Sequence, residues 1–530
     1  MAGPANSWKL ETSVAEATQG LVATGYSGLE CGRALFLELP PESNGKWLPD
    51  VQAAVPVTAA SAVGCGARLE DAAAVAFTWS GLQRMDLPET ALASFSAPFK
   101  EGMLQEDRLR RLGDRRNGKW LDTVVQNGPR WSGNTPSQRR KERVGAYSVK
   151  TKDQEEKIST PISVHALFLI YTKDDAAADR LVAEVERILE PHNVRVVHKL
   201  PLLLDVEGGK FSREHFGFAD GLSQPAPFDK NGAVQLNGVA VKEPDPVQGV
   251  PLGEFIIGYE NGHQEVAPGP VVAGSLDGED DPRPDKADLP AHPDALGFFD
   301  IGLHGSYLVV RELHQDVAAF WNSMEKAAQI IRERDPEATY VTGEWLAERV
   351  VGRTRDGHVL RPDGPLKPGP GDRPDNGFLF YDADHTGLGC PLGSHVRRAN
   401  PRDSLAQKPE MKQTLLNAAN NHRILRRGRK YGPNLPDPSK DDGQDRGLLF
   451  MCLNTDIARQ FEFVQQTWLL NKDFATLFEE VDPLVGSDGW MTIPEDPLRR
   501  RLQVQTFVQM VGGEYFFLPS LPALRYLALL

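Results

Sequence analysis

The alternation of strand and helix patterns between residues 164 and 200 constrains the fold of this chain most. Residues 164–171 form a continuous apolar run typical of a buried strand, residues 174–189 carry apolar side chains at helical spacing, and residues 194–200 return to a strand pattern. Upstream, the chain gives a strand, a more helical stretch and a second strand, at residues 19–24, 57–69 and 73–79. The order strand, helix, strand, strand, helix, strand predicts a ferredoxin-like unit.

The second half of the chain repeats this order after a stretch rich in Pro, Asp and Gly. We interpret that stretch, residues 242–252, as a linker between an N-terminal ferredoxin-like domain, residues 1–241, and a C-terminal one, residues 253–530. Strand patterns in the second domain lie at residues 253–259, 305–313, 447–453 and 513–518, and helical patterns at residues 315–334 and 455–468. The fold class predicted is α+β.

Composition and charge exclude several classes of protein. The 530 residues are 40% hydrophobic and 25% charged, which is ordinary for a globular protein with a sizeable core. A net charge of −14 argues against a nucleic-acid or anionic-membrane partner. Four scattered cysteines without a CxxC argue against a zinc ribbon or a disulfide framework. No signal-peptide pattern and no apolar run of ~20 residues is found, so we expect a cytoplasmic protein without a membrane span.

One segment imitates a nucleotide-binding motif. Residues 113–120 have the glycine and lysine spacing of a P-loop, but Trp120 stands where a Ser or Thr must reach magnesium. No apolar strand precedes the segment, so ATP binding is not expected.

A single histidine is placed where a short helix should begin. Ser394 is a plausible N-cap, and Pro401 disfavours a helical residue before it, so His395 should open a helix of two turns at most. Such a histidine either ligates a metal or bonds to its own neighbours. The cationic residues that follow it suit an anionic ligand or a solvated face: Arg397, Arg398 and Arg402.

Two other motifs decide between these alternatives. Residues 216–225 read Phe-Gly-Phe-Ala-Asp-Gly-Leu-Ser-Gln-Pro, and residues 421–432 hold a cluster of arginines after Asn421-His422. With the His395 stretch, they closely resemble the dye-decolourising peroxidase family, with its GxxDG motif, proximal histidine and distal arginine. The likeness runs from about residue 19 to the end. It implies two ferredoxin-like units forming a dimeric α+β barrel-type haem protein, and haem b held non-covalently, since no CxxCH occurs.

The resemblance implies which residues hold the haem. His395 would ligate the iron and give its other N–H to an acceptor, for which Asp456 is the matching acid; alternatively Asp456 only favours the first turn of a helix. Arg311 looks like the propionate-binding arginine, or is a surface charge at a strand end. Phe461, with Phe463, would pack on the proximal side, although both suit an ordinary core.

The resemblance also implies the residues that act on peroxide. Asp220, in a glycine-bounded turn, would move the proton, its simpler role being to cap its own backbone. Arg426 would stabilise the developing negative charge, with Arg427 as the reserve because neighbours on a strand face opposite sides. Gly428 stands where some family members carry Asn, so any contribution from that amide is absent.

The activity implied is that of a hydrogen-peroxide-dependent haem peroxidase. Peroxide oxidises the haem by two electrons, and two one-electron transfers from bulky aromatic reductants such as dyes and phenolics restore it. Because bulky reductants cannot enter a narrow pocket, a surface aromatic residue would relay electrons, among Trp321, Trp345, Trp468, Tyr340 and Tyr515. Two alternatives are a non-catalytic haem carrier or sensor, which needs neither Asp220 nor Arg426, and a haem-free interaction protein. A homo-oligomer is possible for all three.

Overall fold

Eight strands of the chain close into a ring. The computed structural model describes residues 8–41, 43–63, 69–133, 161–207, 211–276, 278–369 and 374–530. The ring strands are β1 Cys31–Glu38, β2 Asp71–Phe77, β3 Ala166–Thr172, β4 Arg195–Leu203, β5 Ser306–Gln315, β6 Arg429–Tyr431, β7 Gly447–Asn454 and β8 Val508–Leu518. Their order is β5-β7-β6-β4-β1-β3-β2-β8, and β8 pairs again with β5, so the sheet has become a barrel.

Each half of the ring has the same strand order. The fourth strand of each set lies beside the first, then come the third and the second, all antiparallel. Leu35 of β1 thus lies opposite Phe168 of β3 and Lys199 of β4, and Val309 of β5 is flanked in the same way. The prediction of an α+β protein with two ferredoxin-like units is confirmed. The division at residues 242–252 stays a prediction.

Six helices matter for the site and the core: α1 Trp47–Ala54, α2 Asp175–Leu189, α3 Val317–Arg334, α4 Gly343–Val351, α5 His395–Ala399 and α6 Lys412–Asn420. Asp174 and Asp316 cap α2 and α3, because each side chain accepts a backbone N–H of the first turn. The predicted helix at residues 455–468 is two π-helical segments, Ala458–Glu462 and Val464–Leu469.

The remaining elements are short. The other helices are Thr12–Ala17, Gly20–Ala23, Trp79–Arg84, Glu89–Ser94, Ala97–Glu101, Glu106–Arg111, Arg283–Lys286, Tyr381–Asp384 and Leu521–Leu527, and the 3-10 turns are Ala60–Val63, Glu190–His192, Leu252–Glu254 and Pro409–Met411. The other strands are Trp8–Leu10, Arg115–Arg116, Lys119–Trp120, Trp131–Ser132, Ile162–Ser163, Val206–Glu207, Phe211–Ser212, Ala226–Phe228, Val234–Leu236, Val239–Ala240, Gly249–Pro251, Val271–Ala273, Ser275–Leu276, Glu279–Asp280, Phe298–Asp300, Leu425–Arg426, Gly489–Pro494 and Arg499–Val504. Across the described parts of the chain, no helix has both the length and the apolar character needed to cross a membrane.

Two predicted strands are wrong. Residues 19–24 contain the helical turn Gly20–Ala23, and the first ring strand is Cys31–Glu38 instead. Residues 253–259 begin in the 3-10 turn Leu252–Glu254, so the second unit starts at Ser306–Gln315. Both runs are short and apolar, and periodicity alone cannot separate such a strand from a buried helical turn. The helical stretch predicted at residues 57–69 contains the 3-10 turn Ala60–Val63, and its residues 64–68 lie outside the described chain.

Both faces of most ring strands are buried, which explains continuous apolar sequences such as that of β3; β4 is an exception, because Arg195, Lys199 and Pro201 on its outer face are exposed. One face contributes side chains from all eight strands, such as Phe36 and Leu169, to a single cluster inside the barrel. The opposite face packs against helices, as Leu35 and Phe168 do with Val185 of α2. Two-sided burial removes the alternation of polar and apolar residues that marks a half-exposed strand.

The closure between β2 and β8 depends on one side chain. The two strands share a single residue pair, Phe77 and Phe517. Beside it, the buried Gln19 amide donates to the carbonyls of Val75, at 2.9 Å, and Pro519, at 2.8 Å. Its oxygen accepts the Val75 N–H at 3.0 Å. Gln19 therefore takes the place of missing strand pairing at this seam.

We expect Gln19→Ala to lower the free energy of unfolding by about 3 kcal/mol, because it leaves the Val75 N–H and two carbonyls without partners. Urea unfolding of the two proteins measures the difference. Gln407→Ala, at an exposed position, is the matched control and should change the value little. An equal stability of the Gln19 variant and the parent would contradict this account of the seam.

Candidate functional site

A cavity of about 320 Å³ lies on the outer face of the second half of the ring. The sheet contributes Arg311, Leu313 and Gln315 from β5, alternate residues that face one side. The other walls come from the loop after Phe211–Ser212, from α5 and from the π-helical segments; these supply Asp220, His395 and Phe461 among others. Its size and its mostly apolar lining are those of a small-molecule site.

His395 opens α5, as predicted, and faces this cavity. The helix holds five residues and ends before Asn400, whose backbone is not helical, as expected for a residue that precedes a proline. The Ser394 hydroxyl does not cap α5; it donates to the carbonyl of Arg349 in α4 at 2.6 Å. This bond ties the start of the histidine helix to α4.

A buried carboxylate orients the imidazole. His395 Nδ1 lies 3.0 Å from Oδ2 of Asp482, a fully buried residue. The other oxygen of Asp482 accepts the N–H groups of Leu484 and Val485, both at 2.9 Å. The acid is therefore fixed before it meets the histidine, and the imidazole has Nε2 left for a ligand.

Pairing raises the pKa of His395 and lowers the pKa of Asp482. Burial disfavours the charged imidazole, but Asp482 outweighs burial and raises the pKa of His395. Burial likewise opposes ionisation of Asp482, yet His395 and the backbone N–H groups hold the pKa of that carboxyl below its usual range.

The structure corrects the partner predicted for His395. Asp456 lies before the first π-helical segment, where its carboxylate accepts the N–H of Arg459 at 2.9 Å, the simpler role that its sequence position allowed. Asp482, missed by the sequence analysis, takes the predicted place. It is 87 residues from His395, and no local pattern marks an acid in a loop as the partner of a distant histidine.

Asp220 lies at the cavity end of a tight hairpin. The backbone N–H of Asp220 donates to Ser212 at 2.8 Å, which closes the hairpin. Gly217 at its turn has a φ of +92°, a conformation that favours glycine. The Asp220 carboxylate accepts the N–H of Gly221 at 2.6 Å, so its self-capping role is real, while the side chain still lines the cavity.

Glu214 holds this hairpin together and was not predicted. Its carboxylate accepts the N–H groups of Phe216, at 2.8 Å, and Phe218, at 2.9 Å, and the side-chain amide of Gln315 at 2.8 Å. Burial raises the pKa of Glu214. The residue stands three positions before the first glycine of the GxxDG motif, and its role appears only when Gln315 is brought against it.

The two neighbouring arginines point in different directions. Arg426 lines the cavity, with Nη1 3.8 Å from Oδ1 of Asp220, and it also donates to the carbonyl of Leu222. Arg427 donates instead to the carbonyls of Leu21 and Val22, on the far side of the strand. Strand alternation thus separates a cavity residue from one that anchors the N-terminal segment.

Arg311 also lines the cavity and is already paired. Its Nη2 donates to Oδ1 of Asp114 at 2.5 Å, and both side chains are nearly fully buried. The alternative of an exposed strand-end charge is therefore wrong. Asp114 comes from the segment that imitates a P-loop, and burial raises its pKa against the opposing effect of Arg311.

The arginines around His395 are neither a solvated face nor, for the most part, cavity residues. Arg397 and Arg398 are fully buried and donate to backbone carbonyls, which include those of Cys390 and Trp468. Arg402 does line the cavity, where it stacks on Phe378 and donates to Ser223 at 2.9 Å. Phe461 lines the cavity, and Phe463 stacks on His422 with ring centroids 3.7 Å apart; their packing on the proximal side of a haem stays a prediction.

These residues fit a flat, anionic metal cofactor of the kind that the resemblance implies. In the described part of the chain no group of three His, Cys, Asp or Glu side chains is arranged to hold a bare ion. Two polar atoms of the cavity residues, Arg311 Nε and Asp114 Oδ2, are buried and lack a hydrogen-bond partner there. A carboxylate of a cofactor would accept the unpaired N–H of Arg311.

The curated proteins that this chain resembles in sequence include several dye peroxidases. The chain is 31% identical over 340 residues to the multifunctional dye peroxidase DyP2 of Amycolatopsis sp., a match that covers 59% of this chain and 61% of that protein. It is 28% identical over 390 residues to the dye-decolorizing peroxidase msp1 of Mycetinis scorodonius, covering 68% and 66% of the two chains. The matches thus span less than two thirds of these curated relatives' lengths. No family model matches the chain.

Solved structures share the fold. A DyP-type peroxidase from Anabaena sp. superimposes with a TM-score of 0.67 and 23% identity, covering 97% of this chain and 95% of the other. A fungal DyP-type peroxidase from Auricularia auricula-judae gives 0.67 and 20%, covering 97% and 99%. At this identity, the likeness establishes the barrel architecture alone.

We expect Asp482→Asn to destabilise the cofactor-free protein in a limited pH window. The raised pKa of His395 contributes stability that is complete below about pH 6.5, its unfolded value, and is lost as the pH rises through the folded pKa. The lowered pKa of Asp482 contributes stability present above about pH 3.9 and lost as the pH falls through its folded pKa. Urea unfolding at a series of pH values should show the largest difference in the free energy of unfolding between parent and variant at pH values between about 3.9 and about 6.5. A difference that is constant with pH would contradict the pairing.

Proposed function

Because this chain belongs to the dye-decolourising peroxidase family, we propose that it is a haem b peroxidase that uses hydrogen peroxide to oxidise bulky aromatic reductants such as dyes and phenolics. One observation carries the proposal. A single cavity brings together His395, Asp220 and Arg426, which come from three distant segments of the chain. The cytoplasmic location and the oligomeric state stay predictions.

His395 would hold the haem iron through Nε2, and the bound haem would supply the iron and porphyrin that accept oxidising equivalents from peroxide. Asp482 keeps the imidazole in one orientation, because its carboxylate takes the Nδ1–H. A negatively charged acceptor also increases the electron donation of the imidazole. Arg311 would receive a haem propionate.

Asp220 and Arg426 would handle hydrogen peroxide. Asp220 can take the proton from one peroxide oxygen and return it to the oxygen that departs, since its side chain lies in the cavity on a rigid hairpin. Arg426, 3.8 Å from that carboxylate, provides a fixed positive charge beside the oxygens as they become negative. A haem carrier or sensor has no use for this pair.

Bulky reductants would give up electrons at the protein surface. Of the five aromatic residues considered, Tyr340 is 50% exposed, and its ring lies 5.7 Å from that of Trp345. Trp345 in turn stacks under Arg349 of α4, whose carbonyl bonds to Ser394 beside His395. Trp468 and Tyr515 are buried, so they do not meet a bulky reductant directly. Tyr340 and Trp345 therefore suit the relay best.

The basic test is spectroscopic. Purified protein supplied with haem should develop a Soret band, and stoichiometric peroxide should change that band within seconds before a phenolic reductant restores it. A Soret band that peroxide leaves unchanged would favour a haem carrier. Protein that stays colourless with haem would end the proposal.

We expect Asp220→Asn to slow the reaction of the haem-loaded protein with peroxide by about 10²- to 10⁴-fold, because the amide cannot accept the proton. Haem content should be unchanged, since Asp220 is not a proposed haem ligand. Stopped-flow absorption measures the rate. Asp356→Asn is the matched control: this acid pairs with Arg213 of the same hairpin at 2.7 Å but does not line the cavity. Equal rates for parent and Asp220 variant would refute the assignment.

The arginine pair gives a second prediction. Arg426→Leu should slow the peroxide reaction by about 10²-fold, the effect of removing one electrostatic stabiliser. Arg427→Leu should leave that rate nearly intact and lower thermal stability, because the Leu21 and Val22 carbonyls lose their donor. Stopped-flow rates and thermal unfolding of both variants separate the two. The reverse pattern would assign the peroxide role to Arg427.

A further inference from the structure

The segment that imitates a P-loop has a place in the cofactor cavity. Arg115–Arg116 and Lys119–Trp120 form a small hairpin, and Asp114 precedes it with its carboxyl against Arg311 of β5. Thr123 and Met510 line the cavity beside this pair, and Met510 Sδ lies 3.0 Å from Arg311 Nη2. The cavity wall beside Arg311 therefore contains a protein carboxyl as well as a guanidinium.

The pair is incompletely satisfied. Arg311 Nη2 and Asp114 Oδ1 bond to each other, but Arg311 Nε and Asp114 Oδ2 are buried with no hydrogen-bond partner among the described residues. Asp114 is 1% exposed and Arg311 is 6% exposed, so bulk water does not serve these atoms. Unpaired buried polar atoms in a cavity wall indicate a ligand group that bonds to them.

The charges of Arg311 and Asp114 determine how a cofactor carboxylate can bind beside them. One guanidinium cannot balance two carboxylates in a buried site, so an incoming anion favours the protonated form of its neighbour. Burial already raises the pKa of Asp114. Arg311 is the charged group that acts on this carboxyl from the sheet; the adjacent Arg115 is engaged with Glu106 at 2.9 Å. A protonated Asp114 becomes a hydrogen-bond donor.

We propose that Asp114 is a second cofactor-binding residue, which donates from its protonated carboxyl to the same haem propionate that Arg311 receives. The inference rests on the proposed function, since it requires haem in the cavity. Haem retention then depends on the proton of Asp114. As the pH rises and that proton is lost, two carboxylates share one arginine and the cofactor is released faster.

The test is the rate at which haem leaves for an excess of apomyoglobin, followed in the Soret region at about pH 6 and about pH 9, which bracket the range of a buried carboxyl. The parent protein should release haem about tenfold faster at the higher pH, the effect of losing one strong hydrogen bond. Asp114→Asn mimics the protonated acid, because its amide donates while its oxygen still accepts from Arg311, and its release rate should depend on pH about tenfold less than that of the parent. Asp114→Ala should release it fast at both pH values.

Glu312→Gln is the matched control. Glu312 is the next residue along β5, equally buried, but it faces away from the cavity and bonds to Trp131 and His198. The haem release rate of the Glu312→Gln protein should depend on pH as that of the parent does. Titration of His395, Asp482 and Glu214 changes the rate alike in every variant, so only the difference between parent and Asp114→Asn reports on Asp114.

The outcomes are distinguishable. An Asp114→Asn protein that keeps the parent's full pH dependence overturns this inference while the haem enzyme stands. A parent protein that acquires no Soret band overturns the proposed function and this inference together. Thermal unfolding of each variant, recorded without haem, shows that the Asn protein is folded before its rates are compared.

Discussion

Closure of the eight-stranded ring is the constraint on which the rest of the structure depends. Every ring strand has a neighbour on both sides, although β2 and β8 share only one residue pair, and one face of each strand is buried inside the barrel. The outer face must then be covered by something else. Helices such as α2 cover it in the first half of the ring. In the second half, the cavity lies between the sheet, represented by β5 and β7, and the loops and π-helical segments that cover it.

Three acid and base pairs surround that cavity. His395 and Asp482, Arg426 and Asp220, and Arg311 and Asp114 each join a cationic group to a carboxylate. A paired charge of opposite sign offsets part of the free-energy cost of burying each group. The net charge of −14 cannot replace these partners, because it repels buried carboxylates at long range. The three pairs differ in exposure: the Asp220 pair is the most open, which suits a residue that exchanges protons with a small substrate.

The buried arginines have a second purpose in this fold. Arg397 and Arg398 donate to backbone carbonyls in loops and near the end of the second π-helical segment, and Arg429 donates to the carbonyl of Leu29. One guanidinium carries five N–H donors, so it satisfies several carbonyls where no strand or helix is available. An arginine-rich motif can thus hold a site in place without contacting the ligand, and a sequence cannot separate these roles.

The sequence by itself determined the features that depend on local patterns: the ferredoxin-like order, the short helix that His395 opens, and the glycine-bounded turn of Asp220. Each follows from the side chains within a few residues, and the strand errors fell where an apolar run was too short to carry a period. Only the tertiary structure decided the partners. Asp482 rather than Asp456 bonds to His395, Asp114 meets Arg311, and Arg426 rather than Arg427 faces the cavity, because contacts between distant segments depend on how strands register and loops fold back.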